Sequence, residues 1–129
     1  MNEIIVPAEK IPVIAEADIC VVGGSCTGVF AAVRAARLGA KVVIIEQQNR
    51  FGGVATISLV NMWHTIYDTD FDRQIIGGLT FEILERLHKR NAVAPFLNSK
   101  SFGVPLNSEE LTMELDELEN YENLHQHGH

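Results

Sequence analysis

The sequence predicts an α/β fold with a parallel βαβ unit at its centre, and three observations predict it. Asp18-Ile19-Cys20-Val21-Val22 is an apolar, largely β-branched run that stops at Gly23-Gly24. Thr27 to Leu38 is rich in alanine and carries Arg34 and Arg37 on what would be its wet side. Lys41-Val42-Val43-Ile44-Ile45-Glu46 is a second apolar run. Short continuous runs of this kind read as strands buried on both faces. Two parallel strands need a long crossover, which the alanine-rich helix supplies and which is expected to be right-handed.

The elements follow in order. Ile4–Val6 and Ile11–Ala15 are apolar stretches interrupted by Pro7 and Pro12. Proline is excluded from central strands, so residues 1–17 are expected to be an extended lead-in, at most an edge strand. The core strands span Asp18–Val22 and Lys41–Glu46, with Gly39 placed as the left-handed residue that ends the helix between them. Gln47–Arg50 is a polar loop, and Val54–Trp63 is expected to form a short helix. Asp72–Asn91 reads as an amphipathic helix with Leu79, Ile83, Leu84 and Leu87 on one face. Gly77-Gly78 near its start marks a kink or a close helix contact. Ala92–Asn107 is loop, with extended pieces around Pro95–Leu97 and Phe102–Val104. A last helix begins at Asn107, with Glu110 as capping-box partner, and carries Leu111, Met113, Leu115 and Leu118. The domain is drawn from residue 18 to 118, and 119–129 is expected to be a flexible tail.

Bulk properties narrow the function. At 129 residues the length suits one domain, since domains commonly run to about 100–200 residues. The net charge of −7 is uneven: up to Asn107 there are 10 acidic and 10 basic residues, so the seven excess acids all lie in Ser108–His129. A neutral body with an acidic end lacks the basic face that a nucleic-acid partner requires. No apolar run approaches the roughly 18–20 residues of a membrane span, and the first residues do not read as a signal peptide. The expected location is the cytoplasm, where Cys20 and Cys26 would be free thiols.

The informative segment is Gly23-Gly24-Ser25-Cys26-Thr27-Gly28, between the first strand and the helix. A diphosphate needs its charge met without bulky side chains in the way, and a tight turn into a helix offers backbone N–H groups and the positive helix end. Gly23 makes the turn, the middle position allows close approach, and Gly28 lets the helix pack against the strand. Ser25 occupies the middle position, so the strict glycine pattern is broken. Glu46 restores the reading, because an acid roughly 20 residues past the turn accepts hydrogen bonds from a ribose hydroxyl. The same carboxylate repels a 2′-phosphate and disfavours NADP. These features define a partial Rossmann-like dinucleotide-binding unit with additional helices.

From Asp18 to about His64 the chain resembles the FAD-dependent oxidoreductases of the two-dinucleotide-binding-domain flavoprotein superfamily. Within them it is most like a bacterial group with a Gly-Gly-x-Ala-Thr element after the second strand. The likeness rests on Gly23–Gly28, on Glu46, and on Gly52-Gly53-Val54-Ala55-Thr56, and a weaker one runs through Gly77-Gly78-Leu79 to about Met113. The resemblance implies FAD as cofactor. Gly23, Gly24, Ser25, Cys26, Thr27 and Gly28 would bind its diphosphate, and Glu46, with Gln47 beside it, the adenosine ribose. Arg50, Gly52, Gly53, Ala55 and Thr56 would lie toward the diphosphate and flavin. It also implies a small-molecule substrate for the full-length family.

Family members are several times longer and return late in the chain to close over the cofactor. The expectation is therefore a truncated FAD-binding segment that holds the ADP half of FAD and is inactive alone, with no catalytic residue and no metal ligand assigned. An unpaired sheet edge would favour self-association. Two other readings stay open: a small non-catalytic nucleotide-binding or structural module, and a fragment of a NAD-dependent dehydrogenase. Cys26, near a positive helix end, is a candidate reactive thiol or simply a small residue that fits there. His64 is a candidate base or an ordinary loop histidine, and the alternating His125, His127 and His129 read as tail.

Overall fold

Strand β1 (Ile19–Val22) and strand β2 (Val42–Ile45) pair in parallel, with Ile19 opposite Val42 and Val22 opposite Ile45. The computed structural model describes residue 8, residues 10–121 and residues 125–127. Helix α1 (Cys26–Arg37) makes the crossover and buries Val29, Ala32 and Val33 against the sheet. Its end shows why the helix stops there. Gly39 adopts φ 93°, its N–H donates to Ala36 O at 2.8 Å, and the N–H of Ala40 donates to Ala35 O at 3.2 Å. That paired closure is a Schellman motif, which the glycine allows without strain. Arg34 and Arg37 in the last turn oppose the negative helix end.

Beyond β2 the chain departs from expectation in several places. The helix anticipated over Val54–Trp63 is a single 3-10 turn, Gly53–Ala55, followed by strand β3 (Met62–His64). Strand β3 pairs antiparallel with strand β4 (Gly103–Pro105), a long-range partner that local pattern does not reveal. Helix α2 (Gly78–Lys89) starts six residues later than Asp72. Gly77 is extended and Gly78 has φ 61°, while the N–H groups of Asp72 and Arg73 bind the Asp68 carboxylate at 3.1 and 3.3 Å. The two glycines therefore begin the helix, with open space where side chains would stand, and make neither a kink nor a close contact.

Helix α3 (Ser108–Tyr121) begins where anticipated, capped by Asn107, whose Oδ1 accepts from the N–H groups of Glu109 and Glu110 at 2.9 and 3.1 Å. Glu110 does not complete a capping box, because the Asn107 N–H donates to Ala92 O at 2.7 Å and the Glu110 carboxylate meets Arg90. The residues read as a flexible tail from 119 do not all behave as one. Helix α3 runs on through Tyr121, and strand β5 (His125–His127) adds in parallel to the far side of β2. The polar sequence hides this strand, because nothing in its pattern is β-like. The main sheet thus has the order β1-β2-β5 among the described residues. Ile11–Ala15 of the lead-in is not strand, and Ile4–Val6 lies outside the described residues.

The principal core lies where α1, α2 and α3 meet β2, with Val33, Ile44, Ile83, Leu87, Leu111 and Leu115 at its heart. A smaller cluster of Ile66, Leu84, Phe96 and Val104 sits beside it, and Trp63 packs against both. An arginine-glutamate ladder, with Glu114 buried at its centre, ties the three helices together. Arg37 of α1 meets Glu82 of α2 at 2.7 Å; Arg86 reaches both Glu82 and Glu114 of α3; Arg90 engages Glu114 and, at 2.5 Å, Glu117.

Candidate functional site

The turn from β1 into α1 is built by close packing. The Gly23 N–H donates to Ile45 O at 2.8 Å, and φ 101° at Gly23 reverses the chain into the helix. A Cβ at Gly28 would stand 1.9 Å from the Gly23 carbonyl oxygen, so only glycine lets the helix start this close to the strand. Ser25 is the N-cap, and its Oγ accepts from the Gly28 N–H at 3.4 Å.

Glu46, just past β2, is carried to the mouth of this turn. Its Oε2 accepts from the Gly24 N–H at 2.5 Å and its Oε1 from the Gln48 N–H at 2.8 Å. Both carboxylate oxygens are thus fixed by backbone donors, which hold the ionised form in one orientation. Gly24 is glycine because Phe51 lies beneath it. An added Cβ there would sit 2.3 and 2.6 Å from two ring carbons of Phe51 and 3.0 Å from Glu46 Oε2.

The second glycine element closes against the first. The Gly52 N–H donates to Gly24 O at 2.8 Å, Ser25 and Gly52 form an isolated parallel bridge, and Cys26 Sγ lies 3.5 Å from Gly52 O. Gly53 faces Ser25 so closely that a Cβ on Gly53 would stand 3.1 Å from the serine Cβ. Gly23, Gly24, Ser25, Cys26, Gly28, Glu46, Gly52 and Gly53 are therefore one cluster in space, drawn from three separate stretches of sequence.

The remaining candidates lie around that cluster. Thr27 is exposed on the first turn of α1, and Gln47 is exposed in the loop. Arg50 turns to α3, where its guanidinium meets Glu109 at 2.9 Å, so its charge already has a partner within the chain. Ala55 and Thr56 are buried scaffolding. Thr56 Oγ1 donates to Phe51 O at 2.5 Å, and Ser108 Oγ donates to Ala55 O at 2.7 Å. Burial pushes the Cys26 thiol up to about 11, so it is protonated at neutral pH and the reactive-thiolate reading fails. His64 is exposed on β3. Among the described residues no group of three or more His, Cys, Asp or Glu side chains is placed to hold a metal. Phe51 and Ser108 were missed by sequence reasoning; an aromatic residue directly before paired glycines was the one available signal.

The space in front of the turn is open, since a Cβ on Gly23 would meet nothing within 4 Å. The first-turn N–H groups of a helix have no acceptor within the helix itself. That of Gly28 is met by Ser25 Oγ, and the Glu46 carboxylate stands beside the turn through its bond to the Gly24 N–H. Such a bend can take a phosphate at the helix end and a hydroxyl-bearing sugar at the acid. The fold and site together define a dinucleotide-binding βαβ unit.

Comparison with known families identifies which one. The FAD dependent oxidoreductase family matches residues 18–125, and the chain belongs to that family, whose cofactor is FAD. Among solved structures, Thermovibrio ammonificans THI4 superposes with a TM-score of 0.55 at 18% identity, covering 87% of this chain and 38% of that one. The chain thus spans well under half of that neighbour. NikD, an amino acid oxidase of nikkomycin biosynthesis, has a TM-score of 0.42 at 12% identity, covering 87% of this chain and 43% of that one. An oxidised steroid monooxygenase bound to NADP has a TM-score of 0.42 at 16% identity, covering 85% of this chain and 19% of that one. No curated protein matches.

Proposed function

We propose that this chain holds the adenosine diphosphate half of FAD in an FAD-dependent oxidoreductase. The observation that carries the reading is the Glu46 carboxylate, pinned to Gly24 N–H at 2.5 Å beside an open glycine turn. Glu46 accepts hydrogen bonds from the ribose hydroxyls with lone pairs that its backbone donors leave unused. The N–H groups of Cys26 and Thr27, at the positive end of α1, meet the diphosphate. Gly52 and Gly53 keep side chains away from the path of the cofactor, while Ala55 and Thr56 hold that element rigid from beneath. Arg50 and Gln47 act at one remove, the first by tying the loop to α3 through Glu109. FAD, when bound, supplies the hydride chemistry at its flavin.

Substrate turnover belongs to the whole oxidoreductase, and this stretch by itself binds the cofactor without turning over a small-molecule substrate. Its exposed β1 edge pairs with a second copy at high concentration, and its free thiols Cys20 and Cys26 suit a cytoplasmic protein. No helix among the described residues is long and apolar enough to cross a membrane.

Calorimetric titration with FAD, ADP and NAD tests the reading. FAD and ADP are expected to bind, and Glu46→Gln to weaken both by roughly 1.5–3 kcal/mol, the worth of a hydrogen bond to a charged group. Equal weak affinity for all three ligands, indifferent to the state of residue 46, would favour a generic nucleotide-binding module instead.

A further inference from the structure

We infer that Ser25 is a built-in competitor of the cofactor diphosphate, so that this chain holds its dinucleotide as an exchangeable ligand. The inference rests on the FAD reading and concerns how tightly that site grips.

Backbone geometry does not require glycine at this position. Ser25 has φ −61° and ψ 169°, an extended conformation that any residue adopts. A glycine in the middle of such a turn serves only to let a ligand come close. A side chain there leaves the chain unstrained but stands in the ligand's approach. The structure shows where that side chain goes. Its Cβ abuts Gly53, which has no Cβ of its own and so leaves room for it; one would come within 3.1 Å. Its Oγ lies over the helix end and accepts from the Gly28 N–H.

The turn is therefore answered from within the chain at both ends. Glu46 Oε2 takes the Gly24 N–H, and Ser25 Oγ takes the Gly28 N–H. The two contacts differ in strength. The first is 2.5 Å and involves a carboxylate, while the second is 3.4 Å and involves a neutral hydroxyl. A diphosphate oxygen displaces the weaker of the two, trading an internal cap for a charged acceptor. Glu46 stays in place as the sugar acceptor. Ser25 thus stabilises the ligand-free turn and lowers the affinity for anything that brings a diphosphate to it.

Adenosine, ADP and FAD separate the sugar from the phosphates. Wild type, Ser25→Gly and Ser25→Asp are titrated with each by calorimetry, and their ligand-free melting temperatures are recorded. Ser25→Gly is expected to bind ADP and FAD three- to tenfold more tightly, with adenosine unchanged and the ligand-free melting temperature lowered. Ser25→Asp, a stronger cap carrying negative charge, is expected to melt higher and to lose ADP affinity by more than tenfold. Unchanged or weaker ADP binding by Ser25→Gly, with wild type still binding, overturns this inference alone and makes the hydroxyl a bystander or a phosphate ligand. An equal gain for adenosine also overturns it, since the effect would not depend on phosphate. Absence of ADP and FAD binding in every variant overturns the FAD reading itself and this inference with it.

Discussion

A methyl group at position 28 and one at position 24 meet different obstacles. At Gly28 the obstacle is the carbonyl oxygen of Gly23, a backbone atom 1.9 Å from the Cβ position. At Gly24 it is the edge of the Phe51 ring, 2.3 Å away on a side chain that can shift. Overpacking a tight site usually costs about 1–3 kcal/mol and occasionally more. Gly24→Ala is expected inside that range and Gly28→Ala at or above its upper end. Urea unfolding with an unchanged m-value checks the order, and the reverse order would mean that α1 does not start against β1 as described. Both glycines and Glu46 were legible in the sequence, because a turn into a helix restricts residue type strongly. Phe51 was not legible as the reason for Gly24. Its role depends on where the loop after β2 folds back, a tertiary fact with no local pattern.

β1, α1 and β2 lie where expected, although β1 is largely exposed rather than buried on both faces. α2 begins six residues late, and β4 falls on the extended piece expected around Phe102–Val104, while β3 and β5 were not expected. β1, α1, β2 and the start of α3 announce themselves through apolar runs and caps. β3, β4 and β5 are three residues each, too short to show alternation, and exist because another strand lies alongside. Asn91 ends α2 in the same way that Gly39 ends α1. It has φ 57°, and the Ala92 N–H donates to Leu87 O at 2.9 Å. The ladder across the helices gives an acid-side prediction. Glu82 is held below its ordinary value of 4.5, first by the hydrogen bond from Arg37 and further by the Arg37 and Arg86 charges. Its carboxylate therefore adds stability that is complete above pH 4.5 and is lost as pH falls through the depressed folded value. Asp116 works in the opposite sense. Burial raises its carboxyl, with Arg50 opposing, so ionisation is disfavoured in the fold and acidification relieves it. In an Asp116→Asn background, the melting temperature is expected to fall monotonically below pH 4.5. Glu82→Gln should flatten part of that slope; an unchanged slope would detach Glu82 from acid stability. Exposed pairs of this kind are worth at most about 1 kcal/mol, so the effect is a few degrees.

At the scale of the whole molecule, the sheet of the described residues has β1 and β5 as its two edges, and β1 is the apolar one. β2 is buried between β1 and β5, with Val42, Val43 and Ile44 all inside. β1 has β2 as its one strand partner among the described residues, and its Val22 side chain is 81% exposed. Ile11, Val13 and Ile14 in the preceding lead-in are exposed as well. A parallel strand is ordinarily covered on both faces, and an uncovered edge presents a row of unpaired N–H and C=O groups to any passing chain. These two facts together predict self-association that rises with concentration, visible in light scattering or sedimentation. A charge on the edge is how natural sheets suppress such pairing, so Val22→Lys is expected to shift the equilibrium toward monomer. At a position this exposed, the substitution should alter folding stability by no more than about 0.5 kcal/mol. Loss of association without loss of stability is the combination that assigns the contact to β1. A wild-type chain that stays monomeric at high concentration removes the premise, and association that persists with lysine at position 22 moves it to another apolar surface. Val54, Leu59 and Met62, all exposed in the stretch after the second glycine element, are the next surface to test.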